Sequence, residues 1–224
     1  MLMPGRNELE HEEVPTLARQ DRAERTRNAI LDAAAEVFDE RGFSGASLSE
    51  ILAKAGVTKG ALYFHFSSKE ELAQALIEEQ WTNLPGIDYA EAGLQTLIDT
   101  SHVFGHNLWK NVRVRASNRL VGEANFAAPA PEVYNRWNGV IHELFKAAQA
   151  RGDVRKELDT ERLAIWLGGA FLGVQYQSGI LTGRADIHER ITDMWEICLP
   201  GLVPPRRLSR FVPAGTIQWE TSAA

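Results

Sequence analysis

The stretch from Asp21 to Leu72 carries four helix-start signals and two glycine stops, and this punctuation leaves room only for a set of short helices. Asp21-x-x-Glu24, Ser47-x-x-Glu50 and Ser68-x-x-Glu71 have the capping-box pattern, in which the first residue and the acid three positions later satisfy each other's free backbone N–H groups. Thr58 can cap a further helix. Ile30, Ala34, Val37 and Phe38 form an apolar stripe at helical spacing that stops at Arg41-Gly42-Phe43. Gly42 suits a left-handed C′ position, from which Phe43 can pack back on Phe38. Gly56 ends the segment through Leu48, Ile51 and Leu52 in the same way. The pattern predicts a helix from about Asp21 to Gly42, two short helices ending near Phe66, and a longer one through Leu72, Leu76 and Ile77.

Periods of three and four continue at 90–108, 112–122, 132–151, 160–182 and 187–199, with breaks at Pro85-Gly86, Pro129-Ala130-Pro131, Arg151-Gly152-Asp153 and Thr182-Gly183. No stretch alternates as a strand does, and there is no internal repeat, so the fold class is all-α. The expected organisation is a disordered, acidic tail over 1–16, a helix-turn-helix head over 17–69, a larger helical body over 70–204 and a loose tail over 205–224.

Several function classes drop out on composition. No apolar run is long enough to span a membrane, and the first fifteen residues lack the apolar core of a signal peptide. The single cysteine, Cys198, has no intrachain disulfide partner, which fits a reducing, cytoplasmic location. There is no phosphate-binding glycine loop and no Gly-x-Ser-x-Gly elbow, and no cofactor is implied. A net charge of −6 argues against a nucleic-acid binder, yet the cations Arg19, Arg22, Arg25 and Arg27 cluster in a segment whose own net charge is +1. A local basic patch can bind phosphate on an acidic molecule.

Residues 47–66 fit a helix-turn-helix, whose second helix enters the major groove of DNA. On a 100° wheel Leu62 and Phe66 share one side as core anchors, and Lys59, Gly60, Tyr63 and Phe64 fall on the opposite arc. Lys59 stands in the first turn, where the helix dipole disfavours a cation, and Gly60 costs about 1 kcal/mol against Ala in a helix. Both choices make sense against DNA. Lys59 can donate to a base edge or a phosphate, and Gly60 lets the backbone come close. Tyr63, His65 and Lys69 can donate to phosphates, Ser47 and Thr58 offer hydroxyls at helix starts, and Phe64 can press on a sugar or a thymine methyl.

Residues 22–69 resemble the DNA-binding domain of the TetR family of bacterial repressors. The resemblance rests on Ala33-Ala34-x-x-Val37-Phe38, Arg41-Gly42-Phe43 and Val57-Thr58-Lys59-Gly60-Ala61-Leu62-Tyr63-Phe64-His65-Phe66, followed by Lys69-Glu70-x-Leu72. It implies an all-helical homodimer with a three-helix head, a ligand-binding body and ligand-driven release from operator DNA. Residues 17–43 and 60–80 are further similar to the γ-butyrolactone receptor subgroup, which senses small lactones or related furans and butenolides and controls antibiotic biosynthesis. By that resemblance Trp137 stands where the subgroup has a pocket tryptophan, and Gln80 matches a glutamine ending the fourth helix.

In the body, five of the six tryptophans lie between 81 and 195, as aromatic walls or as core. Gln175 is a polar group in an apolar run, with Phe171 one turn before it on the same face. A ligand could partner Gln175, and so could protein or water. Gly169 and Gly173, also one turn apart, allow close helix contact or leave room for a ligand. Three rival readings remain: a drug-sensing regulator of efflux, which an acidic cavity lined by Glu123 or Glu143 would favour; an antibiotic-sensing pseudo-receptor; and a metal-dependent enzyme using His102 and His106, one helical turn apart.

Overall fold

A computed structural model of the chain describes residues 13–82, 92–123 and 130–219, with side chains over 19–79, 92–123 and 131–219. The described residues form α1 (Glu13–Gly45), α2 (Leu48–Ala55), α3 (Lys59–His65), α4 (Lys69–Thr82), α5 (Leu94–Lys110), α6 (Val112–Gly122), α7 (Ala130–Ala150), α8 (Thr160–Thr182) and α9 (Ile187–Leu202), then a short 3₁₀ turn, Pro205–Arg210. No strand occurs among them.

The glycine stops act as the sequence requires. Gly42 breaks α1 at φ 68°, and the Phe38 and Phe43 rings stack at 6.0 Å. Gly56 closes α2 at φ 65°. At its other end α2 has the full capping box: Ser47 Oγ accepts from the Glu50 N–H, and the Glu50 carboxylate accepts from the Ser47 N–H. The box before α4 is shifted by one residue. Ser68 Oγ accepts from the Glu71 N–H, but the Glu71 carboxylate reaches back to Ser67.

Three elements differ from expectation. α1 begins at Glu13, upstream of Asp21. Pro15 sits in the first turn, where its missing N–H costs nothing, so the helix takes in 13–16; residues 1–12 lie outside the described structure. α9 runs through Pro200 to Leu202 because Arg155 takes up its final carbonyls, Nη2 donating to Pro200 O and the backbone N–H to Leu202 O. The segment after 204 is not loose. Arg207 donates to Arg151 O and pairs with Asp153, and residues 211–219 then lie along α5.

Two apolar cores result. The first joins Ile30, Leu31 and Phe38 of α1 with Ile51, Leu62, Phe66, Leu72 and Leu76, and takes Ala116, Leu120 and Val121 from α6. The second packs Leu94 and Ile98 of α5 against Phe145 of α7, Leu167 of α8, and Ile191 and Trp195 of α9. At seven residues, α3 is too short to stand alone in water. Burial of Leu62 and Phe66, at roughly 1.5–3 kcal/mol each, holds it in place.

Candidate nucleic-acid interface and ligand cavity

The buried and open sides of α3 follow the helical wheel. Leu62 and Phe66 are 0% and 2% exposed, whereas Tyr63 is 46% and Phe64 76% exposed. Lys59 and Gly60 are also exposed. Thr58 Oγ1 caps the helix by accepting from the Ala61 N–H at 3.2 Å, and its own proton stays available. The Lys59 ammonium lies 5.7 Å from the Tyr63 ring. A Cβ at Gly60 would meet nothing nearer than Thr58 Oγ1 at 4.0 Å, so the backbone is open to close approach. His65 is half-buried with its ring edge-on to Phe64 at 5.0 Å. Lys69 faces elsewhere. Its Nζ donates to Phe43 O and Ala46 O and sits over the Phe43 ring, so the amine satisfies the carbonyls at the end of α1. The Ser47 hydroxyl is occupied by its capping box with Glu50.

The body encloses a cavity of about 300 Å³. Phe104 forms one aromatic wall with Trp137 at 5.2 Å and Phe171 at 5.7 Å. Thr100, Asn118, Tyr134 and Asn138 supply polar groups, while the hydroxyl of Ser101, also in the lining, donates to Ile98 O and accepts from the Trp195 indole N–H; no described lining residue is charged. Of the expected ligand residues, Trp137 and Phe171 line the cavity. Gln175 does not: it is 3% exposed, and its Oε1 accepts from Arg184 Nη2 at 3.3 Å, so its partner is protein. The Gln80 side chain lies outside the described residues. Glu123 and Glu143 are absent from the described lining and engage Phe43 N–H with Arg119, and Lys146, respectively. Sequence reasoning passed over Phe104, Thr100 and Ser101. With Leu97 they make an i, i+3, i+4, i+7 cluster on α5 whose two hydroxyls interrupt an otherwise apolar stripe.

One helix links the cavity to α1 of the head. On α6, Asn118 and Val121 line the cavity, and its arginines grip α1. Arg113 reaches Asp32, Glu79 and the Asn28 carbonyl, and Arg115 pairs with Asp39 at 2.8 Å. Arg119 joins the Asp39 carbonyl to Glu123, whose other oxygen accepts from the Phe43 N–H at 2.6 Å. The positive φ favours glycine at 42, and a Cβ there would also displace the Glu123 carboxylate from the Phe43 N–H.

This architecture has close counterparts. Residues 30–76 match the model for bacterial regulatory proteins of the tetR family, and residues 91–204 match a tetracyclin repressor-like C-terminal domain. The chain belongs to the tetR family. It is 36% identical over 209 residues to the A-factor receptor protein of Streptomyces griseus, covering 92% of this chain and 74% of that one. A solved γ-butyrolactone receptor, described as ArpA-like, superposes with a TM-score of 0.72 at 34% identity, covering 86% of this chain and 96% of that one. CprB from Streptomyces coelicolor, solved in complex with its operator sequence, gives 0.72 at 33% identity over 84% and 94%.

Two further features of this tetR-family chain bear on its chemistry. The paired histidines are not poised to hold a metal: His102 has both ring nitrogens in hydrogen bonds, Nε2 with Pro213 O at 2.9 Å and Nδ1 with His188 Nδ1 at 3.1 Å. On the outside of the body, α8 exposes Trp166, Tyr176 and Ile180, and α9 exposes Ile197. Cβ atoms added at Gly169 or Gly173 would meet nothing within 4 Å. No helix among the described residues is long and apolar enough to cross a membrane.

Proposed function

We propose that the protein is a ligand-responsive transcriptional repressor that binds a pseudo-palindromic operator as a homodimer and is released by a small neutral signalling molecule of the γ-butyrolactone, butenolide or furan type. The observation that carries this reading is the position of α6. The same short helix walls the cavity with Asn118 and Val121 and holds the end of α1 through Arg115, Arg119 and Glu123. A ligand that favours one setting of α6 therefore shifts the head as well, by as much as its affinities for the two settings differ.

DNA contact falls to the open arc of α3: Lys59 to a base edge or phosphate, Tyr63 and Thr58 to phosphates, Phe64 to a sugar or thymine methyl, with Gly60 permitting the approach and His65 at its margin. The exposed apolar strip on α8 and α9 is the surface for a second copy, and two heads then meet two half-sites. A wall of three aromatic rings with hydroxyl and amide groups and no described charge suits a neutral, oxygen-bearing, mostly apolar ligand. Cationic drugs would find no counter-charge on that wall. A cytoplasmic, non-enzymatic role goes with the reading.

The test selects an operator from random duplex DNA, then titrates the complex with a γ-butyrolactone, a butenolide and a cationic dye while following fluorescence anisotropy. Release by one of the neutral lactones is expected. Release by the dye alone would replace the ligand assignment, and failure to select any duplex would overturn the repressor reading.

A further inference from the structure

The two histidines of α5 belong to a larger arrangement, remote in role from the cavity. His102, His106 and His188 form a chain of hydrogen bonds whose direction is fixed at one end. Pro213 O is only an acceptor, so His102 Nε2 carries the proton it donates at 2.9 Å. His102 Nδ1 then accepts from His188 Nδ1–H at 3.1 Å, and His188 Nε2 accepts from His106 Nδ1–H at 3.4 Å. The His102 and His188 rings are nearly parallel, at 9°. The Trp219 indole covers the end of the chain, stacked on His106 at 4.1 Å and 5.0 Å from His188.

The segment that supplies Pro213 and Trp219 follows one stripe of α5. Gln95 exchanges two hydrogen bonds with the Val212 backbone, and Asp99 accepts from the Thr216 N–H and hydroxyl. His102 holds Pro213, and His106 holds Trp219. These four α5 residues stand at i, i+4, i+7 and i+11, a single helical face. Gly215, at φ 77°, lies so close that a Cβ there would stand 3.0 Å from the His102 ring.

We propose that His102, His106 and His188 form an acid-sensitive clasp that holds residues 211–219 against α5, and that protonation of the cluster releases this segment. Each link needs one donor and one acceptor. A second proton on His102 or His188 must land on a nitrogen that is accepting, which sets two N–H groups against each other and places a cation beside a parallel ring. The charges acting on the three rings are Asp99, which favours a proton on His102, and Lys110, which opposes one on His106; α9 contributes His188, and 211–219 has no ionisable side chain. Burial, with the neighbouring imidazoles second, pushes His188 down to about 4; burial also lowers His106, and it lowers His102 against the opposing pull of the Pro213 carbonyl and Asp99. The released state therefore binds more protons than the docked one. Docking is at full strength above the ordinary histidine value near 6.5 and is lost as pH falls from there towards about 4.

Hydrogen exchange on the full chain tests this, reading the Val212 and Thr216 amides between about pH 7.5 and about pH 5 after correction for intrinsic rates. Their protection is expected to fall by up to about tenfold per pH unit for each proton taken up on release, while the α1 and α9 amides stay protected. His188→Gln should flatten that dependence, and His106→Gln serves if the first variant loses its helical circular dichroism. Trp219→Ala should loosen the segment at every pH. Constant protection across the range, an equally steep fall in the histidine variant, or loss of protection over the whole chain at once would each overturn the clasp. None of these outcomes depends on operator or ligand binding.

Discussion

Aromatic rings do opposite jobs at the two ends of this regulator. In the head, Tyr63 and Phe64 are left 46% and 76% exposed on a seven-residue helix. In the body, Phe104, Trp137 and Phe171 turn inward from three helices and pack together as one wall of a cavity. The difference lies in what each surface must meet. A groove in DNA is reached by side chains that stand out from a firmly anchored helix. A small ligand is held by side chains from elements distant in the chain, which exclude water around it. The head's working surface is therefore local in sequence, and the body's is not.

Salt should separate the two regions most sharply. Binding to DNA releases counterions from phosphates, so raising salt from about 50 to about 200 mM is expected to weaken operator binding on the order of 10³-fold. Calorimetry of ligand binding should stay nearly level over the same range, because the described cavity wall is uncharged. Comparable salt dependence at both sites would break the contrast.

Trp137→Ala removes one ring of the aromatic wall. About 2–3 kcal/mol of lost burial and stacking should raise the ligand concentration for half-release on the order of 100-fold, with operator affinity unchanged. Thermal unfolding is measured first; Trp137 is half-buried, so the stability cost should fall below the roughly 3–5 kcal/mol of truncating a fully buried aromatic. A folded variant released at the wild-type concentration would remove Trp137 from the site.

On the head, Lys59→Ala is expected to cost about 1–3 kcal/mol of operator affinity, and Tyr63→Phe about 1 kcal/mol. Ligand affinity should not change in either. If neither substitution alters anisotropy titrations with operator, the groove-facing arc lies elsewhere.

The smallest effect is expected where the regions join. Glu123→Gln keeps the size of the side chain beside Gly42 and Phe43, but its amide has a single acceptor for two donors, so it can keep the bond from the Phe43 N–H only by giving up the ion pair with Arg119. The ratio of operator affinities without and with ligand should shrink by several-fold, roughly 1 kcal/mol of coupling, with each separate affinity near wild type. An undiminished ratio would mean that the cavity reaches the head by another route.

Legibility follows the same division. The α1–α3 pattern was readable because each decision there is made within a few residues: Ser47 and Thr58 cap, Gly42 and Gly56 stop, Leu62 and Phe66 anchor. Lys69 misleads for a related reason. Its neighbours in sequence place it at the start of α4, but its partners are carbonyls 26 and 23 residues away. Gln175 is a second case. Helical spacing puts it on the face of Phe171, yet Arg184 of the α8–α9 turn takes its oxygen before a ligand can.

By itself the sequence determined the helical class, the helix boundaries near Gly42, Ser47, Gly56 and Thr58 but not the start of α1, and the two faces of α3. Those are settled by interactions over one or two turns, which a linear pattern records. Only the tertiary structure decided which side chains enclose the cavity, that Glu123 holds the end of α1 instead of facing a ligand, and that residues 211–219 lie along α5 beneath a stacked Trp219. The cavity wall joins three separate helices, and the contacts of Glu123 and of residues 211–219 join partners some 80 to 117 residues apart. At that separation the chain's local pattern specifies a polar or aromatic group but not its companion, because packing of whole helices sets the meeting point.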